Sequence, residues 1–323
     1  MNREELIALL ESRRIDAMLR GDAEELLVIE LQEILLMTWE AESQRALRDS
    51  LAILSAGQGS ITQGDIDNAV AAISASLSVR FTALVQSDLL DLIQVAYETA
   101  QFEAVGIRPA LNLIDRRAIE WLDRYNVYWV RSHFDQHLRD KIVEIGRRVI
   151  DGTMPSRQPG REFRGTLGRL EGGKLFQREL GETLGQSQSY WQGFSANVVT
   201  KSQEMSRVEG YVKAGVKSLR IATIGDDRRS EVCTFLDGKI VPIALMVRLR
   251  DELLEAKNPE DVKSIKPWLK IDQVRAGVRG NTVTDYRLAF PDYHYFCRSR
   301  TVVHERVRPT DRPAESVREA VAA

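Results

Sequence analysis

The segment FPDYHYFCRSRTVV, residues 290–303, sets His294 three positions before Cys297, with Arg298 and Arg300 directly behind. The chain holds two cysteines and four histidines, so this pairing is the first place to look for chemistry. The other cysteine stands in IGDDRRSEVCTFLDG, residues 224–238, which offers Asp226, Asp227, Cys233 and Asp237 around an Asp237-Gly238 turn. Thiolates and imidazoles are ligands that zinc prefers. If the two segments pair, Cys233, His294 and Cys297 converge on one point, with His304 or an aspartate as fourth ligand to a structural zinc. Three other readings stay open. The cysteines could join as a Cys233–Cys297 disulfide. They could pack as small apolar groups, with His294 hydrogen-bonded to backbone. Or a thiol could act as a nucleophile with His294 as its base, although no orienting group or oxyanion element is identifiable.

Two further patterns invite a test. HFDQH, residues 133–137, puts His133 and His137 on one helix face at metal-ligand spacing. Phe134 occupies the place where the H-E-x-x-H pattern of zinc proteases has its glutamate, so two polar positions on a basic helix is the simpler reading. Neither a G-x-x-x-x-G-K-[ST] phosphate loop nor a G-x-S-x-G elbow occurs. The glycines between 165 and 185 follow no strand and read as loop and helix-break residues. Arg157, Arg161, Arg164, Arg169 and Lys174 around them could contact phosphate backbone non-specifically, or could simply be solvated.

These residues need elements to hold them. Leu6, Leu9, Leu10, Ile15, Leu19, Leu26, Leu27, Leu31 and Leu35 follow a helical period through residues 2–53, with a break at Gly21-Asp22. Thr62 caps a helix with Asp65 three positions on, predicted over 63–80 and continuing through Phe102. A third helical block covers about 110–150, with Ala118, Trp121, Leu122, Phe134, Leu138, Ile142 and Ile145 among its apolar positions. The stretch 151–165 reads as a loop, and helices resume over 166–184 and 188–215. From about 218 the texture changes. LRIATIG, DGKIVPI, TDYRLAF and RTVVHERV read as strands around a helix at 243–257. The expected fold is therefore mainly α over the N-terminal two-thirds, an elongated helical bundle or hairpins, followed by a small α+β C-terminal module. The expected divisions are an acidic helical region 1–106, a basic helical region 107–217, the α+β module 218–308 and a flexible tail 309–323.

Charge sharpens that division. The net charge of −2 hides −11 over residues 1–106 and +7 over 107–221. An acidic front and a basic middle imply different neighbours, or merely solvated faces. Two cysteines make no disulfide framework, so folding in a reducing cytosol is expected. No apolar run long enough for a membrane span is read, and the charged start lacks a secretory block.

Taken together, the two cysteine-bearing segments resemble the signature of the phage Mu F-like minor head proteins, the phage head morphogenesis family. That family places an aspartate and a Ser/Thr position before a cysteine and a D-G or H-G turn, then a segment P-P-x-H-x-x-C-R. Asp227, Ser230, Cys233, Asp237 and Gly238 match the first part; Pro291, His294, Cys297, Arg298 and Ser299 match the second. The upstream NVVTKSQEMSRVEGYVKAGVKSLRIATIGDD resembles the helix and strand before the signature, and 113–150 is similar to the family's mid-region. Asp292 departs from the second proline, and the helix IALMVRLRDELLEAK is an insertion between the two halves. Residues 1–106 carry no such likeness.

The resemblance implies a bacteriophage virion component. It would be a minor capsid protein of the head, made in the host bacterial cytoplasm and associated with the portal or the capsid interior. Its partners would be the portal and/or the major capsid protein, with non-specific contact to packaged DNA through 107–221. It would act in head morphogenesis, and in genome packaging or delivery. The resemblance implies no catalytic role and no cofactor, and a structural zinc stays one of the open readings of the cysteines and His294. The alternative is a metal-dependent enzyme or effector domain, centred on Cys233, His294 and Cys297 and carried in the virion.

Overall fold

The computed structural model describes residues 3–56, 61–106, 111–151, 165–224 and 229–306. Asp226, Asp227, Arg157, Arg161, Arg164 and the 309–323 tail lie outside them. The fold is mainly α, followed by a small α+β module with a five-stranded sheet.

Helices α1 (Arg3–Arg20) and α2 (Ala23–Ala56) part where expected. Gly21 takes φ +65°, a conformation that favours glycine, and the Asp22 carboxylate accepts from Glu25 N at 3.1 Å. Thr62 starts α3 (Gln63–Ser74) with the expected capping box: its Oγ1 accepts from Asp65 N, and Asp65 accepts from Thr62 N at 2.8 Å. A π turn, Ala75–Arg80, carries the chain into α4 (Phe81–Val105) without a break. Then follow α5 (Leu113–His133), a second π turn at Phe134–Leu138, α6 (Arg139–Asp151), α7 (Gly165–Gly185) and α8 (Ser187–Lys213).

The helical run Gln63–Ala104 is, among the described residues, long and apolar enough to cross a membrane by length and composition. Half of its most apolar window is buried inside the protein, and a core helix passes the same test.

The chain forms two compact units. One comprises Met1–Asp91 with Arg124–Ser195; the other comprises Leu92–Asp123 with Ala196–Ala323. The first is all helical. Its core includes Leu31, Leu35, Leu54, Ile66, Ile73 and Phe176, none of them exposed.

The second unit carries the sheet. Its strands are β1 (Val216–Ala222), β2 (Ile240–Pro242), β3 (Val278–Arg279), β4 (Thr282–Val283) and β5 (Arg300–Arg306), in the order β3-β4-β2-β1-β5. β1 pairs antiparallel with β2 (Leu219 opposite Val241) and with β5 (Leu219 opposite Val303), while β2 and β4 run parallel. The short α9 (Glu231–Leu236) sits between β1 and β2. Between β2 and β3 lie α10 (Ile243–Glu255), α11 (Val262–Ile265) and α12 (Ile271–Ala276).

One predicted strand is absent. TDYRLAF does not extend the sheet beyond β4. Asp285 instead accepts from Arg287 N at 2.9 Å and pairs with its guanidinium, forming a 3₁₀ turn over Tyr286–Leu288. Local side-chain bonds to backbone compete with the sheet ladder here and win.

Candidate metal centre

Cys233 is placed by the ends of its own short helix. Ser230 has extended backbone and its Oγ accepts from Cys233 N at 3.1 Å, the capping bond that starts α9. The helix stops at Asp237-Gly238. Gly238 takes φ +74°, and its N–H donates to Ile221 O at 2.8 Å, which ties the turn back to β1. Asp237 accepts from Thr223 N at 3.1 Å and pairs with Arg229 at 2.8 Å. The D-G turn therefore fixes α9 against the sheet, and Asp237 works as a bracket.

The 290–299 segment is held from the other side by α8. Thr200 Oγ1 donates to Cys297 O at 3.0 Å, and Asn197 Nδ2 donates to the Asp292 carboxylate at 3.1 Å. Lys201 pairs with Asp292 at 3.1 Å, and Lys266 Nζ touches the same carboxylate while donating to Pro291 O (3.2 Å) and Asp292 O (3.0 Å). Glu204 accepts from Thr301 N at 3.1 Å and from its hydroxyl at 2.6 Å, which anchors the start of β5. Asp292 adopts φ +75°, so the position that departs from proline is also the one with left-handed backbone. Asparagine and aspartate tolerate that region better than most residues.

Between these supports, Cys233, His294 and Cys297 converge, with donor atoms all within 4.8 Å of one another. Cys233 Sγ lies 3.0 Å from His294 Nε2 and 3.8 Å from Cys297 Sγ. Ser299 Oγ donates to Cys233 Sγ at 3.3 Å, and Cys297 N donates to His294 O at 3.0 Å. Cys297 is fully buried, Cys233 nearly so, and His294 half-buried. The Cys233 thiol is lowered to about 6, chiefly because the Cys297 thiol donates to it, with Ser230 and Ser299 adding to the effect. The hydrogen bond to Cys233, with burial second, moves the Cys297 thiol well above the ordinary thiol value.

Of the expected cluster members, His304 is exposed on β5 and stands outside the group. Asp227 lies outside the described residues. Arg298, next to Cys297, lines the small opening over the cluster with Thr223, Ile224, Arg229 and Phe296. Pro291 is buried beside Asp292. The two cysteines are free thiols, their sulfurs at nearly twice an S–S bond length of about 2.05 Å, so the alternative of a Cys233–Cys297 disulfide is not formed here. The imidazole also sits against Cys233 rather than against its sequence neighbour Cys297.

Sequence reasoning missed Lys201, Lys266 and Asn197, the groups that clamp the second segment. Asp292 was visible only as a departure from proline.

Of the histidine pair on the first unit, read as two polar positions on a basic helix, one is buried. His133 is buried, with its ring stacked on Tyr190 at 3.8 Å and its Nε2 3.0 Å from Ser187 Oγ. Trp39 and Trp191 also meet its edge. Burial, with the His137 charge second, lowers His133 to about 3. His137 is exposed. Arg169 likewise is no phosphate contact: it is buried and pairs with Asp65 at 2.7 Å, and this bond lowers Asp65 to about 2.

No protein-family model, no curated protein and no solved structure matches the chain.

Proposed function

We propose that this chain is a minor head protein of the phage Mu F-like kind, built into the virion head at the portal or the capsid interior. One observation carries the reading. The described residues of the two halves of the signature, 229–238 and 290–300, are separated by three helices yet meet in one compact unit. Ser230, Cys233, Asp237, Gly238, His294 and Cys297 each have a definite part in that meeting. Ser230 caps, Asp237 and Gly238 turn, and the other three converge. That the two segments gather in this way supports the reading.

The chain acts through contacts with the portal and/or the major capsid protein rather than through a reaction. The exposed Arg124, Arg131, Arg139, Lys141 and Arg147 of α5 and α6 suit non-specific contact with packaged DNA. The test is genetic. Deleting the gene from its phage should lower the yield of infectious, DNA-filled heads, with recovery on supplying the chain in trans. Undiminished yield of filled, infectious heads would overturn the reading.

A further inference from the structure

We infer that Cys233, Cys297 and His294 form a zinc site, with water from the adjoining opening as the fourth ligand. The inference rests on geometry and stands or falls independently of the proposed function. A tetrahedral zinc with bonds of about 2.3 Å to sulfur holds two thiolates about 3.8 Å apart. The two sulfurs stand 3.8 Å apart. Bonds of about 2.3 Å and about 2.0 Å place a sulfur and an imidazole nitrogen about 3.5 Å apart. His294 Nε2 lies 3.0 Å from Cys233 Sγ, so the half-buried ring has to move outward by about half an ångström. Two soft sulfurs and one imidazole select zinc over oxygen-seeking magnesium or calcium.

The surroundings are those of a metal site. Ser299 Oγ donates to Cys233 Sγ, an outer partner that sets that sulfur's position, and Thr200 fixes the backbone of Cys297. Arg229 and Arg298 line the opening and offset the charge of two thiolates. The opening provides both access for the ion and room for the water. A disulfide would use the sulfurs but give the imidazole nothing to bind. Plain packing would not by itself call for three donor atoms within 4.8 Å of one another. Bound zinc would tie α9 to the second signature segment across 61 residues of chain.

The full chain, purified under reducing conditions, should take up one cobalt(II) ion. It should show a sulfur-to-cobalt charge-transfer band and the strong visible bands of tetrahedral coordination, all abolished by one equivalent of zinc. His294→Gln alters a half-buried ligand and should keep the helical circular dichroism of the wild type. It should bind more weakly by more than the roughly 10–100-fold that loss of an outer partner costs. His304→Gln, outside the cluster, should bind like the wild type. A folded chain with both thiols titratable but no tetrahedral cobalt spectrum overturns the inference. So does a native mass lower by two hydrogens, the mark of a disulfide, or full affinity in His294→Gln.

Discussion

Asp292 is the carboxylate on which the second signature segment depends. It meets Lys201, Lys266 and Asn197, and it is 3% exposed, as are the side chains of both lysines. Asp292→Asn keeps the size of the side chain and tolerates φ +75°, so it removes the charge and little else. The buried Lys201 and Lys266 ammonium groups then lose that carboxylate, a change that typically costs about 3–5 kcal/mol. Burial and the neighbouring Lys201 charge already push Lys266 well below the usual lysine range, against the pull of Cys297 and Glu204. Lys266 can therefore give up its proton in the variant, and the loss should fall near the low end, about 3 kcal/mol.

Native-state hydrogen exchange of the paired β1 and β5 amides reads this directly, with exchange faster by roughly a hundredfold. The pH dependence carries a sign. A lysine whose folded pKa is depressed binds fewer protons folded than unfolded, so stability rises with pH through the window up to the unfolded value of about 10.4. Removing Asp292 widens that window. The deficit of the variant should shrink from about pH 6 to about pH 9. Adding Lys201→Met should recover part of it. A deficit below about 1 kcal/mol, or one equal at both pH values, would refute the argument.

In the first unit, a Cβ on Gly146 of α6 would run into the Ile66 side chain of α3, so Gly146→Ala should cost about 1–3 kcal/mol in a thermal melt. Gly185→Ala at the end of α7 meets open space and should stay within about 0.5 kcal/mol of wild type; equal melts for the pair would contradict the α3–α6 packing. His133, lowered to about 3 from 6.5, makes a contribution that is complete above pH 6.5 and lost as pH falls through that window. Urea melts followed by tryptophan fluorescence should lose roughly 2 kcal/mol between about pH 6.5 and about pH 5. His133→Gln should flatten that slope, and an unchanged slope would place the titrating group elsewhere.

Much of this was legible because it is local. The break at Gly21-Asp22 and the Thr62–Asp65 box each depend on residues a few positions apart, where spacing dictates geometry. The helical periods work for the same reason, since burial of one face repeats every turn. TDYRLAF failed because composition favours a strand while one side chain, Asp285, bonds its own backbone and pulls the segment into a 3₁₀ turn. His133 read as a polar position on a basic helix, because spacing does not reveal that Trp39, Tyr190 and Trp191 close over it.

The site divides in the same way. Cys233, His294 and Cys297 stood out by rarity, and the two segments by their likeness to one signature. Which sulfur faces the imidazole, and how Lys201 and Lys266 grip Asp292, are set by helices that approach from distant parts of the chain. The charge and texture boundaries follow composition, whereas α4, α5 and α8 each supply residues to both compact units, and no local signal marks that.

The central claim is that this chain belongs to the phage head. Quantitative mass spectrometry of DNA-filled heads, purified from a lysate of the phage that encodes it, tests this most directly. The account predicts the chain in the purified heads, at few copies per head beside the abundant major capsid protein. Heads free of the chain, with all of it recovered in the soluble fraction of the same lysate, would contradict the account.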